Sequence, residues 1–408
     1  MLKRLLSVSG ALVLVGAVVA VVVWQRPEVP PPVALKDVVV QYADGTRLWS
    51  TEDGAPQTPL VTQVLTELRR QGSFDLDGLR RVGATVVTTI DPKAQGAGAS
   101  VLDETARAQP PSLRFGLTAV DPATGGVLAY VPGAQGPDAT DYAGGVLKQP
   151  GTTFYPINVV AGMKEGHQLD SVFDGTPRKI AGVAIRDDVT FGKTSTVRDA
   201  LARSSAVVMY DLVANEVGVK GVQKAAHQAG VPESVVIDGK DTPLLVGEGG
   251  GLPRTEIALG TDEAAMRPLD LTTVYATFAS GGVHRRTHFV TKVSADDGSA
   301  LYQVTESASA AFDPDIAVSK EISSRITTVL KDSTACPGAV CRTARYATPP
   351  DAAGQDVHAW TTGYTDRMAI TVLVTTANPK QPVTDAVRQT VEDIGLPKAI
   401  WQGFAEKA

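Results

Sequence analysis

Cysteine is nearly absent from this 408-residue chain, with only Cys336 and Cys341 on either side of a Pro337-Gly338 turn signal. A structural zinc site needs further thiolates or imidazoles close by, and none is visible, so no metal is expected. In an exported domain such a pair can close a small disulfide loop; two unrelated thiols are the other reading. Long basic runs are missing too, and the formal charge is −6, which argues against nucleic acid as a partner. Residues 247–251 are glycine-rich but lack the Lys-Ser/Thr ending of a phosphate loop, which leaves a flexible connector. His284 and His288 have a spacing that would hold a metal on a helix, yet they follow Gly281-Gly282 and precede a strand. Neither an internal repeat nor a cofactor motif is found.

What the chain has in quantity is apolar residues, 43% of the total, enough to bury a proper core. Residues 5–24, LLSVSGALVLVGAVVAVVVW, are apolar throughout except for Ser7 and Ser9. At 1.5 Å per residue, about 20 such residues match a hydrocarbon core of roughly 30 Å. Lys3 and Arg4 precede the stretch, which keeps the N-terminus cytoplasmic and exports the rest. A cleaved signal peptide is the alternative, but no good small-x-small site occurs before Gln25. The expected location is therefore the plasma membrane, single-pass, with the C-terminal part extracytoplasmic. The 408 residues allow one large domain plus an appendage.

A Pro-rich spacer follows the apolar run at residues 26–32. Residues 36–50 read as two strands around an Asp44-Gly45 turn, and residues 60–71 as a helix stopped by Gly72. Residues 84–90 read as a strand, after which Asp91-Pro92 opens a helix as N-cap and first residue. A hairpin is expected over residues 115–131, helices over 197–217 and 269–279, and strands over 289–293 and 300–304. Residues 368–375 form a near-continuous apolar run, the pattern of a strand buried on both faces. Strands and helices are mixed rather than strictly alternating, which favours an α+β layer architecture.

Several stretches, in order, resemble the transpeptidase half of class A penicillin-binding proteins. They are VVTTIDPKAQ at residues 86–95, AVDPATGGVLA at 119–129 and QPGTTFYP at 149–156. They continue with ALGT at 258–261, VYATFASGG at 274–282, AWTTGYT at 359–365 and Ile400-Trp401. This resemblance implies a penicillin-binding-protein, serine β-lactamase-like fold, a central mainly antiparallel sheet between helical layers, running from residue 84 to 408. Residues 25–83 would be spacer and a small linker region, and residues 1–24 the cytoplasmic tip and anchor. The family's glycosyltransferase domain is absent. Residues 36–50 resemble its entry strands and 60–83 its exit helix, as if an ancestor had lost its first enzyme.

The family uses Ser-x-x-Lys, Ser-x-Asn and Lys-Thr-Gly. A serine at a helix N-terminus has the lysine one turn later on the same face, and that lysine, deprotonated by burial, takes the hydroxyl proton. Here the matching positions are Thr152 and Tyr155. Threonine keeps a hydroxyl with a crowding methyl, and a phenol is neutral at physiological pH, so the base is missing. In the second motif Ser204 keeps its hydroxyl, or is an ordinary helix-surface or capping serine, while Ala206 has lost the amide. The third motif falls on the strand before Ala359-Trp360. The preferred register is Arg345-Tyr346-Ala347-Thr348, and Arg342-Thr343-Ala344 is a second one. Either way arginine replaces lysine, and alanine replaces glycine where substrate backbone would approach.

Losing members of a nucleophilic unit costs factors up to about 10⁶ in turnover, and Lys148 and Lys164 are poorly placed to substitute. The expectation is a non-catalytic transpeptidase homologue that binds peptidoglycan stem peptides or cell-wall synthesis proteins as scaffold or regulator. Two alternatives are a D,D-transpeptidase or carboxypeptidase using Thr152, and a cleft that senses β-lactams or muropeptides non-covalently.

Overall fold

The computed structural model describes residues 34–408 except 57, 72–73, 134–139, 188, 238, 306, 334–335, 337, 348–355, 379–380 and 392–393. The apolar run at residues 5–24, and with it the expected anchor, lies outside the described residues. Among those described, no helix is long and apolar enough to cross a membrane.

β1 (Val39–Gln41) and β2 (Arg47–Ser50) form the hairpin around Asp44-Gly45, where Asp44 Oδ1 accepts from the Thr46 amide at 2.9 Å. Helix α1 (Pro59–Arg70) is capped by the Thr58 side chain and buries Leu60, Val61, Val64, Leu65 and Leu68 as one stripe. Helix α2 (Leu76–Val82) ends at Gly83, whose φ of 61° is the left-handed cap that glycine adopts without cost. After β3 (Thr85–Thr88), Asp91 accepts from the Ala94 amide at 2.9 Å and opens α3 (Pro92–Ala108). The hairpin of β4 (Leu113–Val120) and β5 (Val127–Val131) leads to α4 (Tyr155–Lys164).

The helix expected over residues 197–217 is not continuous. It divides into α5 (Val197–Arg203), α6 (Ala206–Asp211) and a π-helical turn at Leu212–Val217. The break is local chemistry: Ser204 turns left-handed at φ 61° and closes α5, and the Ser205 side chain caps α6 by accepting from the Val208 amide. Beyond it come α7 (Val219–Gln228), α8 (Pro268–Ala279), β6 (Val290–Ser294), β7 (Ala300–Gln303) and α9 (Ile316–Ser333). The chain closes with β8 (Val340–Ala347), β9 (Asp356–Tyr364), β10 (Ala369–Thr376) and α10 (Leu396–Lys407).

These strands make two five-stranded sheets. The larger, in the order β8-β9-β10-β4-β5, is antiparallel at every pairing. Every residue of β10 is buried, in keeping with its near-continuous apolar run. Phe115, Leu117 and Ala119 stand opposite Val374, Val372 and Ile370, and this face packs in one core with Trp401 and Phe404 of α10. Trp360 and Leu373 face the other way, into the core that holds Val274 and Tyr275 of α8. The second sheet, β7-β6-β3-β1-β2, pairs β3 with β1 in parallel and with β6 antiparallel. The division placed at residues 83 and 84 is thus crossed by a sheet: residues 39–50 share it with residues 290–303.

Candidate active site

Thr152 sits in a single 3₁₀ turn, Gly151–Phe154, that runs directly into α4. The turn is clamped from several sides. Trp360 Nε1 and His358 Nε2 both donate to the Gln149 carbonyl, at 2.8 and 2.9 Å. The carbonyl can only accept, so Nε2 of His358 carries the proton. Burial pushes that imidazole down to about 3, which keeps it neutral. Tyr275 donates to the Thr153 carbonyl at 3.0 Å, and Asn158 to the Ala258 carbonyl at 2.6 Å. Gly260 has φ 67°, and a Cβ there would lie 2.1 Å from the Gly151 carbonyl oxygen; only glycine lets these two backbones meet.

Three segments converge on this turn. The Thr152 hydroxyl donates to the Thr343 carbonyl at 3.4 Å. Arg342 Nη2 donates to Ser204 Oγ at 2.7 Å, and Nη1 to the Leu201 carbonyl at 2.8 Å, one of the otherwise unpaired carbonyls at the end of α5. Arg342 is only 7% exposed, and its Nε–H has no partner. Burial, the largest effect, lowers its pKa, and the nearby Tyr275 and Tyr155 phenols oppose the drop. A guanidinium nevertheless stays charged in proteins. Among the described residues it has no carboxylate partner. Tyr155, the first residue of α4, is fully buried beside it.

Of the two third-motif registers, Arg342-Thr343-Ala344 is the one whose contacts with the other two segments are seen among the described residues. Arg345 and Tyr346 pair with Ala359 and His358 farther along β8, Ala347 pairs with Asp356, and Thr348 lies outside the described residues. Counting back from Trp360 does not choose between the registers because the connection between β8 and β9 has no fixed length, whereas cross-strand pairing sets Ala344 opposite Trp360.

Ala206 opens α6 and offers only its backbone N–H, which donates to Asp187 Oδ1. The Asp187 carboxylate also accepts from Ser205 Oγ at 2.7 Å and the Val207 amide at 3.2 Å. Sequence reasoning missed Asp187, because a cap 18 residues upstream in a loop carries no local signal. Lys164 faces away, donating to Gln228 at 2.9 Å and to the Phe312 carbonyl. Lys148 is half-buried, with its backbone bridged to Met266. Among the described residues, no amine, imidazole or carboxylate is hydrogen-bonded to Thr152 Oγ1, and no cluster of three His, Cys, Asp or Glu residues could hold a metal. Cys336 and Cys341 are disulfide-bonded with Cα atoms 5.9 Å apart, which ties down the residue immediately before Arg342.

A family model, the penicillin-binding-protein transpeptidase domain, matches residues 115–394. The chain is 29% identical over 386 residues to penicillin-binding protein 1A of Mycolicibacterium smegmatis, covering 93% of this chain and 47% of that protein. It is 29% identical over 370 residues to penicillin-binding protein 1A of Mycobacterium tuberculosis, covering 86% and 43%. It thus spans less than half the length of these relatives. Among solved structures, PonA1 of Mycobacterium tuberculosis in complex with penicillin V superposes with a TM-score of 0.75 at 27% identity, over 85% of this chain and 92% of that one. Penicillin-binding protein PBPA of the same organism superposes at 0.66 with 18% identity over 92% and 98%, a likeness of fold.

Proposed function

This chain belongs to the penicillin-binding-protein transpeptidase family, and from that premise we propose that it is a non-catalytic member working in cell-wall biogenesis. It is held at the membrane by residues 5–24 and displays its transpeptidase-like domain outside, where it binds peptidoglycan stem peptides or cell-wall synthesis proteins. The observation that carries this reading is Arg342. Its guanidinium occupies the junction of the three motif segments, cannot accept a proton, and fills one acceptor position of Ser204 Oγ with a donated hydrogen bond. Thr152 has a carbonyl for its partner rather than a base, and Tyr155 is a buried neutral phenol. Activation of a hydroxyl nucleophile requires a base within hydrogen-bond reach that can take up its proton, and none of these groups is one.

The test is intact-protein mass after incubation with benzylpenicillin, alongside gel labelling with a fluorescent penicillin. The expected result is no mass increase. A stoichiometric adduct that disappears in Thr152→Ala would overturn the reading and make the chain an acyl-enzyme transpeptidase with Thr152 as nucleophile.

A further inference from the structure

A cavity of about 470 Å³ opens between α1 on one side and the turn after α7, α8 and the segment before β6 on the other. Its size falls in the range of small-ligand sites, roughly 300–1,000 Å³. Thr152, Ser204 and Arg342 do not line it.

One end is short of a hydrogen-bond donor. His227 Nδ1 lies 2.8 Å from the Val231 carbonyl, which can only accept, so Nδ1 carries a proton. Nε2 is buried without a hydrogen bond, 3.3 Å from the Glu233 carboxylate. A cationic donor placed against both would fill the open hydrogen-bonding position at this end. The other end is short of an anion. Arg70 and Arg286 are exposed at the rim, and Arg70 has no hydrogen bond or ion pair among the described residues. Glu67 lies near both, but its two oxygens are taken by the Phe289 and Val290 amides, at 2.6 and 3.2 Å. Between the ends the wall holds the buried Arg267–Asp270 ion pair at 2.6 Å, in which the charges offset each other, Thr273 and Thr287 hydrogen-bond each other at 2.7 Å, and His284 packs on Gly230. No third ligand among the described residues completes a metal site at His227 and Glu233.

We propose that this cavity binds a short zwitterionic peptide, with its ammonium between His227 and Glu233 and its carboxylate on Arg70 and Arg286. An ammonium supplies the missing donor to both acceptors at one end, and a carboxylate matches the two guanidinium forks at the other.

The test is calorimetric titration of the full chain with trialanine, N-acetyl-trialanine and trialanine amide. Saturable binding of trialanine is expected, weakened at least about tenfold by blocking either terminus, the two complementary charges each contributing to affinity. Glu233→Gln should weaken trialanine but leave N-acetyl-trialanine unchanged, and Arg70→Gln/Arg286→Gln should weaken trialanine but leave the amide unchanged. All three side chains are exposed, so far-UV spectra of the variants should match the parent. Equal affinity for blocked and unblocked peptides, or no saturable heat at millimolar trialanine, overturns the proposal. A penicillin adduct at Thr152 leaves it standing, because that result concerns a different cleft.

Discussion

Replacing Arg342 with methionine separates two opposing energies that the structure places on one side chain. The substitution removes two hydrogen bonds from a charged donor, to Ser204 Oγ and the Leu201 carbonyl. At about 1.5–3 kcal/mol each, that is a loss of roughly 3–6 kcal/mol. It also removes a buried cation that lacks a counter-ion among the described residues and whose Nε–H is unpaired there, a desolvation cost of several kcal/mol. Methionine fills much of the vacated length with a flexible apolar chain. The terms cancel to within about 2 kcal/mol, so Arg342→Met should unfold in urea close to the parent's midpoint with an unchanged slope, followed by far-UV circular dichroism. Arg342→Ala leaves a cavity as well and should lose about 2–5 kcal/mol more. If the methionine variant loses more than about 4 kcal/mol, the guanidinium is compensated in a way the surrounding residues do not account for, and the argument fails.

Three further outcomes follow from the clamp around Thr152. His358 has a folded-state pKa near 3 against an ordinary 6.5, so the unfolded chain binds the extra proton between those values. Its contribution is complete above pH 6.5 and declines as pH falls toward 3, by up to about 1.4 kcal/mol per unit. His358→Gln should flatten the stability–pH curve in that window, and an unchanged slope would contradict the assignment. Gly260→Ala forces a Cβ to 2.1 Å from the Gly151 oxygen at a left-handed φ, and should cost about 2–5 kcal/mol in thermal unfolding; a neutral effect would mean the two backbones do not touch. Asp187→Asn weakens the cap on α6 by about 1 kcal/mol and should speed amide exchange at Ala206 and Val207 above all, so uniform exchange rates would count against it.

Much of the fold was legible because its signals are local. The Asp44-Gly45 hairpin, the Asp91-Pro92 helix start and the buried strand at residues 369–376 each follow from a few adjacent residues whose conformational preferences agree. What escaped was non-local. Residues 197–217 have enough apolar periodicity for one helix, and only the paired serines mark where backbone hydrogen bonds pass to side chains. The register of β8 depended on a connection whose length says nothing about pairing. The linker residues 39–50 joined a sheet with strands some 250 residues later, a contact with no sequence periodicity behind it. At the site, Thr152, Tyr155 and Ser204 were picked out by motif spacing on single elements, whereas the contacts of Arg342 and the capping role of Asp187 needed three dimensions.

Positions 155, 204 and 342 also constrain one another. Arg342 is buried against Ser204 and beside Tyr155, so the charge state of one decides what its neighbours tolerate. A guanidinium keeps its charge at any physiological pH, and a second cation at position 155 would face it at low effective dielectric. At a separation of 4 Å and an effective constant of 20, that repulsion is about 4 kcal/mol. A phenol at 155 avoids this cost, and its oxygen dipole favours the charged guanidinium, the direction in which Tyr155 acts on Arg342. Given the arginine, a neutral group at 155 is the stable choice. The side chains at 155, 204 and 342 thus act on one another, and a charged cation introduced at 155 meets a surrounding that disfavours it.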